Sequence, residues 1–365
     1  MSLTAGIVGL PNVGKSTLFN AITKQNILAA NYPFATIDPN VGTVTVPDER
    51  MNKLNDIYNP VNTIPTTFEF TDIAGLVAGA SKGEGLGNKF LSHIRETDAI
   101  VEVIRCFDDN NITHVEGECN PIRDVEIINL ELILSDLSII DNRIEKIAKK
   151  AKATKDKDTV FEYELLLKLK TNLEKNIPIR FLEVNDDEQK LLKSFNLITA
   201  KPFIYVANIK ENEINRDNKY VNELKEYAKK ENTSVVVLCA KVESELSELE
   251  DEDRMLFLEE LNLDSSGLDK LINVTYSLLG LATYFTAGEK EVRAWTFKKG
   301  MNAKCCAGII HSDFEKGFIK AEIMSYNDLL LYNNEKNVKE NGKMRLEGKE
   351  YIMQDGDICH FRFNV

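Results

Sequence analysis

Gly9-Leu10-Pro11-Asn12-Val13-Gly14-Lys15-Ser16-Thr17, read with its flanks, decides the fold class. The apolar run Ala5–Val8 leads in, and Leu18, Phe19, Ala21 and Ile22 supply the apolar face of a following helix. Strand, GxxxxGKS loop and helix in that order are the context a Walker A loop requires. Chemistry sets the residue types. Glycines let successive backbone N–H groups turn inward around phosphate oxygens, and the helix N-terminus adds positive potential. An ordinary glycine-containing βα turn is the bland alternative, and it leaves the full match of positions unexplained. Asn12, Val13, Gly14, Lys15, Ser16 and Thr17 are therefore the phosphate-binding candidates. Lys15 is expected to reach the β/γ-phosphates and stabilise charge in catalysis, and the Ser16 hydroxyl to ligate Mg²⁺.

The remaining parts of such a site follow in order. Thr66–Phe70 reads as a strand running into Asp72-Ile73-Ala74-Gly75. Its carboxylate can support Mg²⁺, and Gly75 leaves an N–H free for a γ-phosphate. In the intervening loop Thr36 is the candidate to close on Mg²⁺, with other threonines nearby. Gly79, Gly83, Gly85 and Gly87 put four glycines in nine residues. That suits a switch ordered by phosphate, and equally a plain flexible loop.

The apolar strand Pro202–Ala207 leads into Asn208-Ile209-Lys210-Glu211. Guanine-specific switches carry Asn-Lys-x-Asp here, whose carboxylate accepts from two guanine donors. Asn208 and Glu211 stand at the right spacing, but Ile209 replaces the lysine that lies along the base. Glutamate moves the carboxylate by a methylene, which spoils a bidentate fit. Guanine loses its advantage and adenine becomes admissible; the residues alone go no further. Ser234–Leu238 then leads to Cys239-Ala240-Lys241, which places Ala240 in the last base-contacting loop.

At 365 residues the chain exceeds what one hydrophobic core usually serves, so two or three modules are expected. A net charge of −13 counts against a surface that coats nucleic acid throughout, while leaving room for a local basic patch. Six cysteines without a CxxC pair suit reduced thiols, and no zinc site is expected. With no basic leader and no apolar run of about 18 residues, the chain is expected to be soluble, cytoplasmic and off the membrane; a monomer is expected, though no residue pattern argues for it.

Leu130, Ile133, Leu137, Ile140, Ile144 and Ile147 follow a 3, 4, 3, 4, 3 spacing, a heptad seam. Leu166, Leu169 and Leu173 suggest the returning helix. Between them lie Lys146, Lys149, Lys150, Lys152, Lys155 and Lys157, either a contact for RNA phosphates or a solvated helix end. Glu243–Asp253 holds seven acids in eleven residues and reads as a solvated helix start. Beyond Tyr284, alternation in Val292–Phe297 and Ile319–Ile323 with turns at Gly348 and Gly356 predicts a small separate α+β domain. Cys305 and Cys306 read as ordinary buried thiols.

Together the Walker A residues, Asp72-Ile73-Ala74-Gly75-Leu76-Val77 with its glycine loop, and Asn208-Ile209-Lys210-Glu211 resemble the YchF/Obg-like ATPase family, in the Obg branch of P-loop GTPases. The likeness runs over essentially the whole chain. It implies an α/β fold: a P-loop G-domain sheet flanked by helices (1–124 and 198–280), an antiparallel helical-hairpin insertion (125–197) and a C-terminal β-grasp TGS domain (281–365). It also implies hydrolysis of ATP in preference to GTP, Mg²⁺ dependence and association with the ribosome. Ras-like enzymes orient water with a glutamine after DxxG, where this chain has Leu76. By resemblance His114 takes that role; a solvated loop histidine is the other reading. Rival functions are a metabolic kinase, a nucleotide-binding module that rarely hydrolyses, and a GTP-specific translation-type GTPase.

Overall fold

The computed structural model describes residues 3–29, 41–73, 86–109, 117–153 and 156–364. Along the chain come β1 (Thr4–Val8), α1 (Lys15–Ala29), β2 (Val41–Thr45), α2 (Glu49–Tyr58), β3 (Asn62–Ile64), β4 (Thr67–Asp72), α3 (Leu86–Glu96) and β5 (Ala99–Arg105). Then follow α4 (Pro121–Ala153), α5 (Lys157–Leu173), α6 (Asp186–Phe195), β6 (Phe203–Asn208), α7 (Lys219–Lys230), β7 (Val235–Leu238), α8 (Ala240–Leu246), α9 (Asp251–Glu260) and α10 (Gly267–Leu278). The chain ends with β8 (Leu281–Ala287), β9 (Glu291–Lys298), α11 (Ala303–Ile310), α12 (Ser312–Lys316), β10 (Phe318–Ser325), α13 (Tyr326–Tyr332), α14 (Glu335–Glu340), β11 (Arg345–Glu347) and β12 (Asp357–Phe363). No helix among the described residues is long and apolar enough to cross a membrane.

Two compact units emerge. One comprises residues 1–43 and 69–271, the other residues 44–68 and 272–365. The first is built on a sheet of order β2-β4-β1-β5-β6-β7. β1 pairs in parallel with β4 and β5, β5 with β6, and β6 with β7. Every residue of β5 and β6 is buried, as expected of parallel strands covered on both faces. The connection order reverses beside β1, and in such sheets ligands bind beyond the carboxyl ends at that point.

α4 and α5 form the expected antiparallel hairpin. Ile133, Ile140, Leu165, Leu166, Leu169 and Leu173 are buried in one core, with Leu137, Ile144 and Ile147 packed against it. Leu130 departs from the expected seam and is 43% exposed. At its root α4 buries a different face, through Val125, Ile128 and Leu132. Asp136 fastens that root: it accepts from the backbone N–H groups of Ile198 and Thr199 at 3.1 and 2.8 Å and pairs with Arg95 at 2.8 Å. Lys146, Lys149, Lys150 and Lys157 are exposed around the α4–α5 turn, while Lys155 lies outside the described residues.

The second unit has a sheet of order β11-β10-β12-β8-β9-β3. A β8–β9 hairpin stands beside a parallel β12–β8 pair, and α11 covers one face through Ala303 and Cys306, the grasp arrangement. The other face packs on Met51 and Leu54 of α2, with Leu329 and Val338. β3 joins the sheet edge, parallel to β9. Residues 44–68, which the sequence places in the nucleotide domain, thus share a core with the C-terminal strands. Two smaller readings need correction. Cys306 is buried but Cys305 is exposed, since neighbours on a helix face different ways. Glu243 is buried rather than solvated: its carboxylate accepts from the N–H groups of Gly267 and Leu268 at 2.8 and 3.1 Å, capping α10.

Candidate nucleotide site

The loop between β1 and α1 puts Lys15 at the first helical position. Lys15 is 7% exposed, and burial pulls its pKa down to about 8 against the opposing pull of the Asp72 carboxylate. Lys15 Nζ donates to the Leu10 carbonyl at 2.6 Å, so the lysine is folded back over its own loop. Asp72 ends β4, where it stands opposite Ile7. Burial pushes its carboxyl up and the Lys15 ammonium draws it back. Ser16 is exposed at the helix start. A hydroxyl and a half-buried carboxylate are hard oxygen donors suited to Mg²⁺, and a carboxylate held up by burial gains from a cation.

Gly14 has φ +102°, and a Cβ there would strike the Asn208 side-chain amide. Asn208 is the reason the loop keeps this shape. Its side chain is 5% exposed; Nδ2 donates to the Val13 carbonyl at 2.8 Å, and Oδ1 accepts from the Ala240 N–H at 2.9 Å. One buried amide thus ties the phosphate loop, the end of β6 and the start of α8 together. Val13 itself points into the core and contributes through its carbonyl.

Beside these ties opens a cavity of about 800 Å³, within the range of small-molecule sites. Of the sequence candidates it brings together Asn12, Gly14, Thr17, Asn208, Ile209, Glu211 and Ala240. Ile209 is 2% exposed, so an apolar side chain stands where a lysine stem was replaced. The Glu211 carboxylate accepts from Lys241 Nζ at 3.1 Å at the cavity rim, and Lys241 also pairs with Glu245 at 3.6 Å. Phe107, Asp109 and Leu261 add walls that sequence reading did not assign. A charged residue closing a mostly apolar strand, Arg105 at the end of Ala99–Arg105, was the available signal for the first two. Thr36, Gly75 and His114 lie outside the described residues, as do Leu76 and most of the glycine-rich segment.

Residues 4–136 match a family model described as 50S ribosome-binding GTPase. Residues 281–364 match the YchF GTPase C-terminal model, described as a protein of unknown function (DUF933). Over the full length of both chains, the protein is 62% identical to the Bacillus subtilis (strain 168) protein named ribosome-binding ATPase YchF. It is 51% identical, again over all of both, to the Escherichia coli O157:H7 protein of that name. The solved structure of the Schizosaccharomyces pombe YchF GTPase superposes with a TM-score of 0.90 at 42% identity, covering 99% of this chain and 98% of that one.

Proposed function

The chain belongs to the YchF family, and from that premise we propose that it binds ATP with Mg²⁺, hydrolyses it to ADP and phosphate, and acts as a nucleotide-controlled switch that associates with the ribosome. One observation supports the base preference: the cavity that opens beside the phosphate loop has Phe107, Ile209 and Leu261 in its walls, and the Glu211 carboxylate, at the position of the guanine-reading acid, is held by Lys241. A guanine reader keeps its carboxylate free for two base donors. Here it is shared with a cation, and the stem that would lie along the base is apolar. The GTP-specific reading therefore has less in its favour.

Lys15 and the loop amides bind the phosphates; on ATP binding Lys15 leaves the Leu10 carbonyl and turns to the β/γ oxygens. Ser16 and Thr36 would hold Mg²⁺, with Asp72 supporting it. Mg²⁺ when bound neutralises charge on the β- and γ-phosphate oxygens. Gly75 donates its N–H to the γ-phosphate, and His114 positions the attacking water where Leu76 cannot. Asn208 keeps the loop and the Ala240 turn aligned. On the ribosome, the exposed lysines around the α4–α5 turn suit rRNA phosphates, since a cationic patch acts locally even on an acidic body.

The test is competition of ADP against GDP together with phosphate release from ATP, with and without ribosomes. Preference for ADP and acceptor-free phosphate release are expected. Equal affinity for GDP would reject the adenine reading. Release only in the presence of a small phosphoryl acceptor would favour the kinase.

A further inference from the structure

Arg105 closes β5 and stands in register with Asn208 on β6, so two neighbouring strand ends each carry a buried polar side chain. The Arg105 side chain is 2% exposed. Its Nε donates to the Phe107 carbonyl at 3.0 Å and an Nη to the Asp109 carbonyl at 3.1 Å. The guanidinium carbon lies 4.7 Å from the centroid of the Phe107 ring. Phe107 and Asp109 both line the nucleotide cavity.

We infer that Arg105 is the positioning residue for this wall of the base pocket, setting the Phe107 ring and the 107–109 backbone in the orientation that receives adenine. The inference rests on the cavity being the base site of the proposed ATPase. Residues 107–109 lie beyond the end of β5, in the stretch that the Arg105 side chain spans. A guanidinium offers several donors in one plane and a flat face, and serves two carbonyls and a ring at once. With one face of Phe107 taken by Arg105, the ring has a fixed place in the wall. Other bonds hold this stretch, among them Asn218 Nδ2 to the Cys106 carbonyl at 2.7 Å, Cys119 Sγ to the Arg105 carbonyl at 3.2 Å and the Tyr220 hydroxyl to the Asp108 carboxylate at 2.8 Å; none of these three is made to the Phe107 ring. Lysine at 105 keeps the charge but lacks the fork and the flat face.

The experiment compares wild type with R105M, R105K, F107A and the R105M/F107A double variant, using fluorescent ADP, ADP-against-GDP competition, ATPase kinetics and thermal melts. R105M and R105K are expected to bind ADP about tenfold more weakly, with narrowed ADP-over-GDP preference. KM for ATP should rise more than kcat falls. Since both residues act through one ring, R105M should add less than about twofold to the effect of F107A. Additive effects, or folded R105 variants with wild-type ADP affinity and selectivity, would overturn the inference. If R105M does not fold, R105K decides in the same way. A wild-type chain that fails to bind ADP sinks the base-pocket reading and takes this inference with it; wild type that binds, with R105 variants that bind equally well, sinks the inference alone.

Discussion

The phosphate half and the base half of the nucleotide site are held by different parts of the chain. The phosphate half is nine consecutive residues whose backbone amides, helix terminus and one lysine do the binding, a charge-on-dipole arrangement. The base half is gathered from the ends of β5 and β6, the turn into α8 and the residue after α9, and its walls stand where buried side chains brace them. The difference teaches where each half is vulnerable. The first fails when a residue of the loop itself changes. The second fails when a brace is removed behind the surface the ligand touches. Asn208 belongs to both, because its amide faces Val13 on one side and Ala240 on the other.

The largest effect is expected on the phosphate side. Lys15→Ala should lower ATP turnover by about 100-fold or more, since it deletes the charge that meets the β/γ oxygens; steady-state phosphate release reads this. Turnover within a few-fold of wild type would remove Lys15 from the site. Next comes the shared brace. Asn208→Ala strands the Val13 carbonyl and the Ala240 N–H, so a loss of about 1–3 kcal/mol in stability and weaker binding of both ADP and inorganic triphosphate are expected. If triphosphate binding survives while ADP binding falls, the two halves are less coupled than the hydrogen bonds imply.

A pH series separates the halves without mutation. Lys15 sits near 8 when free, and phosphate restores its proton on binding. Below pH 8 this group leaves affinity unchanged; above it, ADP affinity should fall by about tenfold per pH unit until the pKa of the complex is reached. Stability of the unliganded protein moves the opposite way. The unfolded chain keeps that proton to about 10.5, so between roughly pH 8 and 10 the unfolded state binds more protons and stability from this group rises with pH. Calorimetric binding and thermal melts over that window check both signs. Smallest is Glu211→Gln: its pair with Lys241 is half exposed and worth about 0–1 kcal/mol, so Tm should barely move while the ADP-to-GDP ratio shifts by a few-fold. An unmoved ratio would take Glu211 out of base recognition.

The contiguous half was readable because its function is a backbone shape, and backbone shape constrains the residues that make it. Asn208, Ile209 and Glu211 were readable by spacing after an apolar strand. That Asn208 would spend its amide on the loop and the Ala240 turn was not, because the partners are 195 and 32 residues away. Phe107 and Leu261 carry no motif and become pocket walls only through tertiary placement. The hairpin seam was correct wherever α4 meets α5 and wrong at Leu130, where α4 has another neighbour to cover. Spacing gives a period and does not say when a helix changes partners.

The pairing of β3 with β9 sets a timetable for synthesis. Residues 44–68 are made early, but the strand β3 lies beside comes some 230 residues later. At about 5–20 residues per second, α2 and β3 wait roughly 10 to 50 s for their neighbours. During that wait Met51 and Leu54 have no core to enter. No single cut divides this chain into two independently foldable genes: a fragment ending near residue 280 keeps α2 without its sheet, and one beginning there lacks a strand at its edge.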